Sequence, residues 1–177
     1  MPKRVVIGRG TQNYTCSAST AAAIPAAYGA YAQLYDASCL AQNHPDVLHA
    51  LPGMLLDMDT KKVRSLLGLC SVLGHRVEVG LHFFRDATTP VFEFRKSRSK
   101  DIFVGRRVEG VAAPSDAEPG HYGAVDWLKL AAIEGSRGFS QVYRVTTAGG
   151  KAPRTCEGMP ARFEVPYATE YCECPSS

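Results

Sequence analysis

The sequence predicts a mainly β protein, a single-domain sandwich or barrel with a short helical insertion at about residues 38–73. Several segments alternate between apolar and polar residues with the period of two that is typical of a strand with one buried face. Turn-forming residues are frequent between those segments, with 16 glycines and 11 prolines in 177 residues. Leucines at near-helical spacing are confined to one stretch, so the helices form an insertion in one β domain.

The first half of the chain holds two predicted strands and the helical insertion. One strand covers residues 5–7, where Gly8 and Gly10 let it bend within the sheet. Residues 28–35 alternate loosely and predict a second strand. From residue 38, Pro45 and Pro52 divide the helical stretch into short helices. Another short helix is predicted for residues 61–73, ending before Gly74.

A hairpin is predicted around a turn at residues 86–89. With Arg85 paired to Pro90, the odd-numbered residues of the first strand are buried and His82 lies directly opposite Glu93. Such opposed residues have Cβ atoms roughly 4.5–5.5 Å apart, and a carboxylate raises the proton affinity of a histidine and fixes its tautomer. The pair is therefore a candidate acid–base dyad, with a purely structural His–Glu pair on the outer sheet face as the alternative. A slip of one residue would separate the two side chains.

The second half of the chain is rich in strand signals. Residues 125–133 fit either a helix or a strand, whereas residues 139–147 are rich in β-forming residues. Residues 134–138 form a good hairpin loop between these two segments. A last strand is predicted around residues 162–171, after a long turn region.

Composition and missing motifs exclude several classes of protein. The chain is 45% hydrophobic and 21% charged, which is typical of a folded globular domain. No apolar run reaches the ~18–20 residues of a membrane helix, and a net charge of +3 gives no reason to expect nucleic acid. Residues 5–10 resemble the start of a dinucleotide-binding turn, but the third glycine and the helix are missing. With no P-loop and no serine elbow, we expect neither a cofactor nor a metal.

The cysteines leave three alternatives open. Their even number fits a partly disulfide-bonded secreted domain, while free thiols and a metal site are the rival interpretations. Asn13 begins a glycosylation sequon, which matters only in a secretory pathway. The first residues lack the apolar run of a signal peptide, so we expect either a mature or trimmed chain or a cytoplasmic protein. The six cysteines are Cys16, Cys39, Cys70, Cys156, Cys172 and Cys174.

Several motifs, taken in order, resemble the fungal and bacterial domain-of-unknown-function family 3455 over about residues 4–171. They are GRGTQNYTC at 8–16, GA at 29–30, LHFF at 81–84 with TP at 89–90, DWL at 126–128, VYRV at 142–145 with TAGG at 147–150, AP at 152–153 before a cysteine, and VPYA at 165–168. The resemblance implies a mainly β domain, usually made with a secretion signal.

The resemblance also implies a strand at residues 126–133 and a disulfide between Cys16 and Cys156. It implies no established chemistry. Family members are often labelled malate dehydrogenase, a label that the missing nucleotide motif does not support. The C-terminal end departs from the family pattern, so the pairing of the other four cysteines stays open.

The predicted function is the binding of a small molecule in an apolar, aromatic-lined cavity. If the protein is an enzyme, we expect a cofactor-free cyclase, lyase or isomerase of a biosynthetic pathway, with His82 handling the proton and Glu93 orienting it. One alternative is a secreted cell-wall or carbohydrate-binding module without catalysis. Another is an interaction protein that docks a partner through the basic residues between 94 and 108. The candidate substrate-binding residues are Phe84, Trp127, Tyr143 and Arg144.

Overall fold

Eight strands form a closed antiparallel barrel in the computed structural model, which describes residues 4–70, 77–94 and 101–175. Each strand pairs with the next one along the chain, and β1 pairs with β8 to close the barrel. The prediction of a mainly β fold is confirmed, and closure makes it a barrel. The strands are β1 (Arg4–Thr15), β2 (Ala26–Asp36), β3 (Glu78–Phe84), β4 (Pro90–Phe94), β5 (Ile102–Val111), β6 (Trp127–Ala132), β7 (Phe139–Gly149) and β8 (Arg162–Pro175).

Three short helices between β2 and β3 pack on the outside of the barrel. They are α1 (Ser38–Asn43), α2 (Pro45–Leu55) and α3 (Thr60–Cys70). The helical insertion is confirmed, and residues 71–73 of it lie outside the described residues. The predicted helix break at Pro52 is wrong, because α2 continues through this buried proline. Neighbouring leucines of α2 pack against the barrel. No helix in the described ranges has the length and apolar character needed to cross a bilayer.

The barrel has two apolar cores, one inside it and one beneath the helices. Aromatic side chains dominate the interior, where Phe92, Phe94 and Tyr171 are almost fully buried. The outer core joins Leu48 and Leu55 of α2 to the outward-facing residues of β1 and β8. Strand β8 is thus covered on both faces, which explains why it carries so few exposed side chains.

Gly10 is where β1 comes closest to its neighbour, as expected for a strand that bends within the sheet. A Cβ atom at this position would collide with the backbone carbonyl of Tyr31. We predict that Gly10→Ala lowers the free energy of unfolding by about 2 kcal/mol in urea titrations, the scale of overpacking. Gly68→Ala is the matched control, since a Cβ at that helical glycine would make only an ordinary contact with Val77 Cγ2, at 3.9 Å, and alanine favours helix by about 1 kcal/mol. Equal effects of the two changes would contradict the prediction.

The β3–β4 hairpin differs by one residue from the predicted register. Phe84, and not Arg85, pairs with Pro90, and His82 lies opposite Phe92. The turn explains the shift: the Asp86 carboxylate accepts hydrogen bonds from the backbone N–H groups of Thr88 and Thr89. This closes the hairpin between Arg85 and Thr89, so the even-numbered residues of β3 face the interior.

One disulfide joins the loops at the end of the barrel where β1 finishes and β8 begins. Cys16 and Cys156 are bonded, 140 residues apart in sequence, as the family resemblance implied. Both cysteines are buried. Cys39, Cys172 and Cys174 are free thiols. The remaining strand predictions are also confirmed, since residues 127–132 form β6 and residues 134–138 link it to β7.

Candidate functional site

The predicted dyad of His82 and Glu93 is wrong as a pair, because the two side chains lie on opposite faces of the hairpin. In the observed register His82 shares a face with Phe92, inside the barrel. Glu93 lies opposite Leu81 on the other face. Glu93 therefore does not orient the His82 ring.

His82 is instead a buried neutral histidine held by aromatic neighbours. Its ring stacks on Phe92 with centroids 4.2 Å apart and meets the edge of Tyr171 at 5.7 Å. Nδ1 lies 3.0 Å from the carbonyl oxygen of Val91, an acceptor only, so Nδ1 carries the proton. Burial lowers the pKa of His82 to about 4, and the nearby Arg144 charge acts in the same direction. The side chain is a satisfied core residue at neutral pH.

Arg144 and two tyrosines form a polar group in the same interior. Arg144 donates from Nε and Nη2 to the carbonyl oxygen of Asp126, at 3.1 and 2.8 Å. The hydroxyl groups of Tyr167 and Tyr171 lie 3.1 Å apart. Burial raises the pKa of both tyrosines, so their hydroxyls stay protonated and serve as hydrogen-bond donors and acceptors. Arg144, a predicted substrate-binding residue, is thus anchored to the backbone within the barrel.

Strands β2 and β3 separate near the disulfide end and leave a seam in the barrel wall. Their last pair towards that end is Ala32 with His82. Beyond it, residues 26–31 pair only with β1, and residues 83–84 pair only with β4. Gly29 spans the seam in a left-handed conformation with φ of 145°, where a Cβ would lie 3.1 Å from that of Phe84. The seam therefore brings backbone and aromatic rings together at the barrel surface.

A groove of about 450 Å³ follows this seam. Phe84, another predicted substrate-binding residue, lines it from the interior side, and Tyr31 is about half-exposed at its edge. The Arg162 guanidinium lies 5.9 Å from the ring centroid of Tyr28, which adds a cation at the rim. We call this feature the seam groove. Its aromatic lining consists of Tyr28, Tyr31, Phe83 and Phe84.

The other two predicted substrate-binding residues lie on the outer face of the barrel, away from the seam. Tyr143 donates its hydroxyl to Gln141 at 2.9 Å, and the Lys129 ammonium lies 6.0 Å from its ring centroid. Trp127 lines a cavity of about 230 Å³ between α2, the loop before β6 and the end of β7, which we call the α2 cavity. The four predicted residues therefore do not form one site.

A histidine on the wall of the α2 cavity pairs with a carboxylate behind it, a pair that the sequence analysis missed. His49 Nδ1 lies 2.9 Å from Glu170 Oε2, and the Glu170 side chain is only 5% exposed. Two further donors reach this carboxylate, Thr146 Oγ1 and Cys172 Sγ, each at 3.4 Å. Burial, with Glu170 adding to it, raises the pKa of Cys172 to about 12, so the thiol keeps its proton and donates it. Glu170 is the acceptor of three hydrogen bonds.

The fold defines the chain as an eight-stranded antiparallel barrel protein with helices packed on its outer face and cavities in its wall. The chain belongs to the family described as protein of unknown function DUF3455, which matches residues 1–172. The family resemblance is thereby confirmed over nearly the whole chain. No curated protein and no solved structure matches the chain.

Proposed function

We propose that the protein binds a small, ring-containing molecule in the seam groove. The observation that carries this proposal is the opening between β2 and β3, where four aromatic side chains face one groove of about 450 Å³. A volume of this size matches pockets that take small ligands, which commonly combine apolar walls with few polar groups. Here the polar groups are Asn13 and Asp86.

The chemistry of the groove favours binding without a reaction at His82. His82 lies behind Phe84, with ring centroids 5.5 Å apart, and is not a wall residue of the groove. Its Nδ1 proton is engaged by a backbone carbonyl, and Glu93 lies on the other face of the hairpin. A cyclase or lyase working through His82 therefore loses its predicted partner, whereas the aromatic binding surface is present.

A carbohydrate is the second candidate ligand, and Tyr31 favours it. This tyrosine is 48% exposed, beside polar Asn13, and sugar rings stack on exposed aromatic faces with hydrogen bonds at their edges. The disulfide adds support for an extracellular module, because such bonds persist in oxidising compartments. Titration with a cellulose oligosaccharide distinguishes this candidate from an apolar ligand, since only one of the two probe classes should bind with measurable affinity.

Fluorescence titration with 8-anilinonaphthalene-1-sulfonate tests the groove. We predict that Tyr31→Ala weakens probe binding about tenfold, because the stacking of this ring on the aromatic probe is worth about 0.5–1.5 kcal/mol beyond the area it buries. Tyr31 is half-exposed, so we expect the variant to fold, and Phe83→Ala gives a second variant. Tyr122→Ala is the matched control, since this tyrosine is 41% exposed and not a wall residue of the groove. Wild-type affinity in both groove variants would contradict the proposal.

A further inference from the structure

We propose that His49 and Glu170 form an acid–base site at the α2 cavity that acts on a small carbon acid without negative charge, a molecule with a C–H bond acidified by a carbonyl or imine group. The proposal is independent of the seam groove. It assigns to another place on the barrel the proton chemistry that the sequence predicted for His82 and Glu93.

The first support is the state of Glu170. This carboxylate is buried beneath α2 and accepts hydrogen bonds from three donors, His49, Thr146 and Cys172. A buried carboxylate that only accepts must receive the proton of His49, so Nδ1 carries a hydrogen and Nε2 keeps its lone pair. His49 therefore has the arrangement of a general base: Glu170 holds the Nδ1 side of the ring, and Nε2 is the nitrogen that can accept a proton.

The second support is the exposure of the two partners. The Glu170 side chain is 5% exposed, whereas His49 is 55% exposed and lines the cavity. The carboxylate is thus fixed by the protein, and the imidazole lies where a ligand can reach it. This is the division of roles that a general base needs, because the orienting group must not be free to move.

The third support is the cavity wall opposite the helix. Thr146 occupies the left-handed region with φ of 49°, which is unfavourable for a β-branched residue. Strained backbone of this kind is concentrated at functional sites. The buried indole Nε1 of Trp127 has no hydrogen-bond partner among the residues that the structure describes. An unpaired buried donor of this kind is energetically unfavourable. Trp127 is thus a second atypical residue of the cavity wall, beside Thr146.

The charges of the cavity define the class of substrate. Asp116 and Glu118 line it together with His49, and Glu170 lies behind. This concentration of carboxylates repels anions, so the ligand carries no net negative charge. A volume of about 230 Å³ further restricts it to a small molecule.

The proposed step balances without a cofactor or co-reactant. His49 Nε2 takes the proton from the acidified carbon, and the C–H electron pair forms a C=C bond while the carbonyl π pair moves to oxygen. The imidazolium is stabilised by Glu170. In a substrate with a C=C bond next to the acidified carbon, the enolate is conjugated with that bond, so the imidazolium returns the proton to the far end of it and the double bond shifts by one position. The net reaction is an isomerisation in which nothing is oxidised or reduced.

The test uses 5-nitrobenzisoxazole as a carbon-acid probe. A base removes its single acidic ring proton, the N–O bond breaks, and a coloured phenolate forms. We expect the wild-type protein to accelerate this elimination over an equal concentration of free imidazole. His49→Gln should lower the rate about 100-fold, the scale of general base catalysis. His44→Gln is the matched control, because this exposed histidine lies in the same helical insertion but not on the cavity wall.

The tautomer of His49 provides a readout that does not depend on the probe. In ¹⁵N NMR spectra recorded above the ordinary histidine pKa of about 6.5, the proton should reside on Nδ1. Glu170→Gln should weaken this preference and lower the elimination rate, with thermal unfolding recorded to show that the variant is folded. An Nε2–H tautomer in the wild-type protein, no acceleration over imidazole, or an unchanged rate in His49→Gln would each overturn the proposal.

Discussion

Replacing Cys16 and Cys156 together with alanine is expected to lower the free energy of unfolding by about 5 kcal/mol, the largest effect that we predict for any change of the chain. The bond closes a loop of 140 residues. In the chain-entropy description, a cross-link over that distance restricts the unfolded chain. The folded state is thereby stabilised by about 5 kcal/mol at 25 °C. Urea denaturation monitored by circular dichroism measures the loss.

The free cysteine Cys39 provides the matched control for this change. It is exposed and unbonded, so Cys39→Ala should leave the denaturation midpoint unchanged. Reduction of the wild-type protein with dithiothreitol should reproduce the loss seen in the double variant. If the reduced protein and the double variant both unfold at the wild-type midpoint, the stabilising role of the disulfide is wrong.

Acidification should destabilise the protein through His82, by about 3 kcal/mol between neutral pH and pH 4. An unfolded histidine titrates at about 6.5, whereas burial lowers the pKa of His82 to about 4 in the folded barrel. Between these values the unfolded chain binds a proton that the folded chain does not. The stabilisation is therefore complete above about pH 6.5 and is lost as the pH falls towards 4.

Comparison with His82→Gln isolates this contribution from that of the acidic residues. The variant lacks the titrating ring, so its free energy of unfolding should fall less over the same pH range. His121→Gln, which changes an exposed histidine, should keep the wild-type dependence. Parallel pH profiles for the wild-type and His82→Gln proteins would contradict the prediction. They would mean that the folded barrel binds a proton at His82 as readily as the unfolded chain does.

Much of the fold could be predicted because local patterns determine it. Alternation of polarity marked the strands, glycine and proline marked the turns, and leucine spacing marked the helices. The extent of α2 was harder to predict, because the energetic cost of Pro52 is local and the packing that outweighs it is not. Likewise, alternation alone cannot decide between a sandwich and a barrel, since that depends on whether β1 meets β8.

The hairpin shows how a small turn effect reverses a functional prediction. The two registers bury different residues of β3, either the apolar odd-numbered set or an even-numbered set that includes His82 and Phe84. The Asp86 carboxylate, with its bonds to Thr88 and Thr89, selects the second. Because side chains alternate between faces, a shift of one residue sends His82 into the core and leaves Glu93 on the other face.

The α2 cavity could not be predicted from spacing, since His49 and Glu170 are separated by 121 residues. The structure shows that residues 167–171 of β8 are all buried although Thr169 and Glu170 are polar, so this strand is covered on both faces. A glutamate in such a strand must find donors, and the helical insertion was the available cover.

The pairing of β1 with β8 also determines when the barrel can be completed during folding. Apart from β2 and β3, neighbouring strands are joined by connections of 15 residues or fewer and can pair early. The β1–β8 ladder instead extends over twelve residue pairs from opposite ends of the chain. Contacts of such high sequence separation carry a large loop-closure cost and slow the folding of β proteins. Closure is therefore the expected rate-limiting event, and formation of the Cys16–Cys156 bond near this ladder would lower its entropic barrier.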